Sequence, residues 1–245
     1  MVRLEYSEVL KRKIRKDPWD EIGVSTYVKI NEAIQAGRLE EAMDLVDYLK
    51  PEGERVHNIM GDFIYALINY IAETMGEEEV EKAFRYMGEK FYPPGKDVVP
   101  AMSPEEILQY RCESFRAHRS GPGGMGNITV VEEPDRFVMY LDPCGTGGHL
   151  RRAGRLDPPY NFGKTKKPYP WSWGKANVPY FCVHCCLFSE LMPIEWVGYP
   201  LRVCEFSENP DDPCVMLFYK EPELIPEKYF ERLGKKKDIS KFKKR

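Results

Sequence analysis

The amino-acid sequence predicts an α+β protein: a helical N-terminal half packed on a four-stranded antiparallel sheet, in the order strand, strand, helix, strand, strand. Three observations carry this. Apolar residues recur at helical spacing through the first 120 residues, the period changes to alternation after RSGPGGMGN (119–127), and two pairs of alternating segments flank one cysteine-rich helical stretch. At 245 residues the chain is long enough to bury a core. It is expected to form a single domain, with a helical part (1–120), an α+β part (121–233) and a basic tail (234–245).

About five helices are expected in the first 120 residues. INEAIQAGRLEEAMDLVDYLK reads as two short helices broken at Ala36-Gly37, followed by a long helix from about Glu52 to Met75. On that long helix Val56, Met60, Phe63, Leu67 and Ile71 form one apolar stripe, with His57, Gly61, Ile64 and Ile68 beside it, so the stripe is expected in the core. SPEE at 103–106 is a capping box, with Ser103 as N-cap, Pro104 in the first helical position and Glu106 in the third, and its helix runs to about His118. GPGGMG (121–126) lacks the Lys-Ser/Thr of a phosphate loop and any preceding strand, and reads as a flexible connector. ITVVEE and RFVMYLD around Pro134-Asp135 form a first hairpin, and LRVCEF and CVMLFYK around SENPDDP a second. Between the hairpins lie a long aromatic loop (145–178) and the helix of VPYFCVHCCLFS (178–189). Cys204 and Cys214 are equidistant from the turn near Asn209, which makes them expected cross-strand neighbours, either as metal ligands or as two buried apolar thiols.

Composition narrows the function classes. Charged residues make up 31% and hydrophobic ones 42%, and no apolar run approaches the roughly 18 residues of a membrane helix, so no membrane partner is expected. The N-terminus has no secretory apolar core, which points to a cytoplasmic protein. The last twelve residues carry seven basic side chains against one acidic, in a chain whose net charge is −3. The tail is read as a solvated terminus, and the acidic remainder gives no reason to expect nucleic acid. Seven cysteines in a reducing compartment suggest metal binding or catalysis before disulfides.

Six of those cysteines lie downstream of Gly121. Cys182, Cys185 and Cys186 fall at i, i+3 and i+4, on one helical face, with His184 on the neighbouring face. Upstream, DPCGTGGH places Cys144 before Gly145, Gly147, Gly148 and His149, a thiol beside backbone N–H groups that no side chain shields.

With Cys182-Val-His-Cys185-Cys186, Cys204 and the Cys214–Tyr219 strand in view, residues 125–220 resemble the aminothiazoline-carboxylate hydrolase-like family. More distantly they resemble the vinyl-reductase-like small-molecule-binding domains. The resemblance implies a helical lead-in, a strand-strand-helix-strand-strand core and, from the sensing group, zinc held by Cys182, by Cys204 or Glu205, and by Cys214. The DPCGTGGH segment and the WSWGK loop depart from both groups.

Two chemistries follow from the residues. In the first, Cys144 is a nucleophile served by the glycine N–H groups, with His184 or His149 as base; the bland alternative makes Cys144 a strand-end core residue. In the second, Cys182 and Cys185, with Cys144 or His149 arriving from the glycine loop and with Cys186, Cys204 and Cys214 as further candidates, hold zinc or iron. Arg152, beside Arg151, is a candidate clamp for a substrate carboxylate, and Trp171, Trp173 and Tyr180 form an aromatic wall for a flat ligand. His57 is a further ligand-facing candidate. The leading expectation is a small-molecule hydrolase or lyase acting on a C–N or C–S bond. Its rival is a metal-containing small-molecule-binding or sensing domain without catalysis, and a third reading is a subunit that works by protein contact.

Overall fold

The structure, a computed structural model, describes residues 2–91, 98, 101–121 and 124–243. Its contacts divide the chain into two compact units, Met1–Met60 and Gly61–Arg245.

The first unit opens with a hairpin where helix was expected: β1 (Arg3–Ser7) pairs antiparallel with β2 (Arg12–Lys16). Dense charge conceals the alternation that makes it. Val2 and Leu4, two residues apart on one face, cover the small cluster of Ile30, Ala33, Ala42 and Leu45. α1 (Thr26–Gln35) starts at Ser25, whose side chain accepts the Tyr27 N–H, and the chain turns at Gly37 as the Ala36-Gly37 break requires. α2 (Leu39–Thr74) then runs unbroken for 36 residues, joining what were expected to be two helices. Pro51 lies inside it. A proline donates no N–H to the preceding turn, a local cost of about 3 kcal/mol that this long ladder absorbs. His57 belongs to this unit, its Nδ1 3.3 Å from Asn58 Oδ1.

The long helix buries a different face from the expected one. Val56, Met60, Phe63 and Leu67 are all more than half exposed, whereas Tyr65, Ile68 and Ala72 are buried, with Ile64 and Ile71 packed on the same core. Two apolar stripes adjoin on this helix, and periodicity does not rank them. Gly61 and Tyr65 decide. Gly61 lets Leu150 approach to 3.7 Å from where a Cβ would stand, and the Tyr65 hydroxyl donates to the Gly163 carbonyl at 3.0 Å.

α3 (Glu78–Phe91) and α4 (Pro104–Ala117) follow, making four helices before residue 120 among the described residues. The α4 capping box forms as expected: Ser103 Oγ accepts the Glu106 N–H at 3.2 Å and Glu106 Oε2 accepts the Ser103 N–H at 2.8 Å. Residues 122 and 123 of the expected connector lie outside the described residues.

Both predicted hairpins are present. β3 (Asn127–Glu132), β4 (Arg136–Asp142), β5 (Val203–Glu205) and β6 (Cys214–Tyr219) form one antiparallel sheet in the spatial order β3-β4-β6-β5. The last strand thus sits beside β4, inside the sheet. Leu141 is paired with Cys214, and Cys204 with Met216. Cys204 and Cys214 are therefore not directly opposite but two residues out of register, which still leaves both on one face.

Residues 145–178 are ordered by a short helix, α5 (Gly147–Arg152), a 3₁₀ turn at Pro170–Ser172, and the bridges Lys164 to Pro179 and Tyr169 to Lys175. The cysteine helix comprises a 3₁₀ turn (Tyr180–Cys182), α6 (Val183–Cys186), a π-helical turn (Leu187–Leu191) and α7 (Met192–Val197). Within the π turn Glu190 is fully buried and accepts from Trp173 Nε1 at 2.7 Å, the Cys204 N–H at 2.9 Å and Arg232 at 2.6 Å. One carboxylate thus joins the aromatic loop, the sheet edge and the chain beyond α8 (Lys228–Glu231).

Phe242 anchors the basic tail on the core, while Lys236, Lys241 and Lys243 stay exposed. Phe242 packs against Tyr199 and Phe230, and the Lys243 N–H donates to the Val197 carbonyl at 2.9 Å. Gly198, at φ +95°, ends α7; a Cβ there would lie 2.5 Å from the Lys241 carbonyl oxygen.

Candidate active site

A cavity of about 270 Å³ opens in the second unit, between the cysteine helix and the sheet. Cys144, Cys182, Cys185, Cys204 and Cys214 all line it, five of the seven cysteines of the chain. All are free thiols. His184 and Trp173 face the same space, and the remaining wall is mainly aromatic, with Phe115, Phe181 and Phe188.

Cys144 leaves β4 through Pro143 and enters α5. Its sulfur accepts the Gly148 N–H at 2.9 Å, lies 3.9 Å from Thr146 Oγ1, and is hydrogen-bonded by the Cys214 thiol. These donors, Cys214 foremost, hold the Cys144 thiol below its usual pKa against the opposing effect of burial, while Cys214 is raised because it keeps the shared proton. The glycines serve this arrangement by closeness. A Cβ on Gly147 would stand 2.7 Å from Cys182 Sγ, one on Gly148 3.1 Å from Cys144 Sγ, and one on Gly145 inside contact distance of the His118 carbonyl. Gly145 does not offer its N–H to a substrate, because Ser120 Oγ accepts it at 2.7 Å.

On the helix side His184 Nδ1 lies 2.5 Å from the Phe181 carbonyl, a contact that requires Nδ1–H. Nε2 is then the lone-pair nitrogen, and it lies 3.5 Å from Cys185 Sγ. Burial lowers the His184 pKa and keeps the ring neutral. Its hydrogen-bond partner is Cys185 and not Cys144. Cys204 is hydrogen-bonded to Cys185, which, with burial, raises the Cys204 thiol; burial pushes Cys182 up to about 12. The cavity thus holds two thiol pairs, Cys144 with Cys214 and Cys185 with Cys204.

Other expected site residues are employed elsewhere. Cys186 is buried away from the cavity, its thiol directed at the Pro170 carbonyl at 3.5 Å. Arg152 binds Asp142 and the carbonyls of Pro210 and Asp211, so it clamps the turn of the second hairpin and does not face the cavity. Trp171 is buried against Tyr169, and the Tyr180 hydroxyl donates to Glu77. The N–H of His149 donates to the Cys144 carbonyl. None of Trp171, Tyr180, Arg152 and His149 lines the cavity.

Of the zinc set implied by the resemblance, Cys182, Cys204, Glu205 and Cys214 all line the cavity, and the Glu205 carboxylate accepts from Tyr229 and Arg232. Among the described residues no group of three or more His, Cys, Asp and Glu side chains is placed to hold a metal ion, and none of the helices is long and apolar enough to cross a membrane.

Sequence reasoning missed Arg111 and Arg202, both buried and both lining the cavity. One signal was present. Arg111 shares the buried face of α4 with Ile107 and Leu108, where a charged side chain is unusual unless it meets a partner or a ligand. Arg202 lies over the Phe115 ring, 5.4 Å from its centroid. No protein-family model, curated protein or solved structure matches the chain.

Proposed function

We propose that the chain is a small-molecule hydrolase or lyase that attacks a C–N or C–S bond with Cys144. The observation that carries this reading is the set of donors on the Cys144 sulfur, from Gly148, Thr146 and Cys214, at the edge of a cavity that also holds a neutral imidazole. A sulfur so held is a thiolate ready to attack an electrophilic carbon. In this reading the Cys214 thiol protonates the leaving group as the C–N or C–S bond breaks. His184 Nε2 then takes a proton from the water that releases the acyl or imidoyl group from sulfur, and the imidazolium returns a proton to Cys214, which restores the starting state. The aromatic wall suits a flat substrate, and Arg111 and Arg202 also line the cavity.

The test is turnover of a panel of small thiazolines, thioesters and amidines by the wild type and by Cys144→Ser and His184→Gln. Loss of turnover in Cys144→Ser, with the wild-type fold kept by circular dichroism, is the expected result. Saturable binding of aromatic compounds without turnover, or stoichiometric zinc or iron that depends on Cys185 and Cys204, would replace catalysis with the binding reading.

A further inference from the structure

We propose that Cys144 and Cys214 are a redox-active dithiol that reduces a small organic disulfide admitted to the cavity and closes to an intramolecular disulfide. The inference rests on the reading of Cys144 as a nucleophile and adds a second activity to it. Three observations support the pairing. Leu141 of β4 is paired with Cys214 at the start of β6, and Cys144 follows three residues later, so the sheet brings both cysteines to one end of the same strand pair. The two thiols are neighbours that shift one another's proton affinity in opposite directions. Both line the same cavity.

The chemistry balances. The Cys144 thiolate attacks one sulfur of the incoming disulfide; a mixed disulfide forms on Cys144, the S–S bond of the substrate breaks, and one thiolate leaves. Cys214, having given up its proton to that thiolate, then attacks the Cys144 sulfur and expels the second thiolate. Two protein thiols are oxidised and one substrate disulfide is reduced to two thiols. An external dithiol restores the starting state. Cys185 and Cys204 are a second hydrogen-bonded pair in the same cavity, but a neutral imidazole, not a peptide N–H, faces Cys185. Cys144 is the thiol that starts the exchange.

The experiment adds one equivalent of 5,5′-dithiobis(2-nitrobenzoate) to anaerobic, fully reduced full-length protein, counts the released thionitrobenzoate and maps the products by peptide mass spectrometry. Wild type is expected to release two equivalents and to yield a Cys144–Cys214 disulfide with no adduct on Cys144. Cys214→Ser should release one equivalent and retain the adduct on Cys144, whereas Cys185→Ser should behave as wild type. A stable adduct on wild-type Cys144, or a mapped disulfide joining any other pair, overturns the proposal. Iodoacetamide labelling of the reduced protein separates the two readings. If Cys144 alkylates readily but no cross-link forms, only the dithiol fails; if Cys144 reacts with neither reagent, both readings fail.

Discussion

The two sides of the cavity carry the same functional group in opposite surroundings. On the glycine-loop side Cys144 meets a peptide N–H, a threonine and a thiol donor, which favour its charged form. On the helix side Cys185 meets a neutral histidine and burial disfavours the charged form of Cys182, while on β5 the Cys204 thiol is raised by Cys185 and by burial. Residue type therefore says little about a cysteine's chemistry. The donors within reach of the sulfur decide it.

The largest effect in breaking this contrast is expected at Glu190, which ties the helix side to β5 and to Trp173. Glu190→Ala leaves the Arg232 guanidinium without its buried partner and should cost about 3–5 kcal/mol, read as a lower midpoint in urea unfolding. An unchanged midpoint would show that this carboxylate does not hold the helix side in place.

Gly147→Ala is the next largest, because the new methyl group would stand 2.7 Å from Cys182 Sγ and 3.6 Å from the Phe181 ring. Overpacking of this kind costs about 1–3 kcal/mol, and labelling of Cys144 should slow as the loop shifts. Gly23→Ala, where a Cβ meets nothing within 4 Å, is the control and should lose far less.

Reactivity sharpens the contrast without perturbing the fold. A thiol whose pKa is lowered is already a thiolate at neutral pH, so Cys144 alkylation by iodoacetamide should change little between pH 6 and pH 9. Cys112, raised by burial, should react faster as pH climbs through that range. At pH 7 Cys144 is expected to lead by at least about tenfold, which corresponds to about 1.4 kcal/mol. Equal rates would show that the donors around Cys144 do not set its reactivity.

The smallest effect is expected at Arg152, whose contacts with Asp142 and the hairpin turn are partly exposed. Arg152→Ala should change stability by no more than about 1 kcal/mol and leave Cys144 labelling intact. A large loss of labelling would return Arg152 to the site.

Much of the framework was legible in the residues. Alternation gave both hairpins of the main sheet, the Ser103–Glu106 capping box gave the start of α4, and the clustering of thiols and aromatics after Gly121 pointed to the region of the cavity. The N-terminal hairpin was missed because only Val2 and Leu4 mark its apolar face among many charges. The long helix was assigned the wrong buried face because a second apolar stripe adjoins the first, and the choice between them depends on Leu150 and Gly163, far along the chain.

The sequence by itself determined which chemistry is concentrated where: a thiol at position 144 among glycines, and three thiols with an imidazole on one short helix. Period and turn residues are local, so strands, caps and thiol clusters can be read without the fold. Only the tertiary structure decided the partners. It placed β6 between β4 and β5, brought Cys214 to Cys144 and Cys204 to Cys185, turned Cys186 away, assigned Arg152 to a turn, and lined the cavity with Arg111 and Arg202. The physical reason is that a sulfur's charge and a guanidinium's role depend on atoms within a few ångströms, and those atoms come from strands and helices distant in the chain.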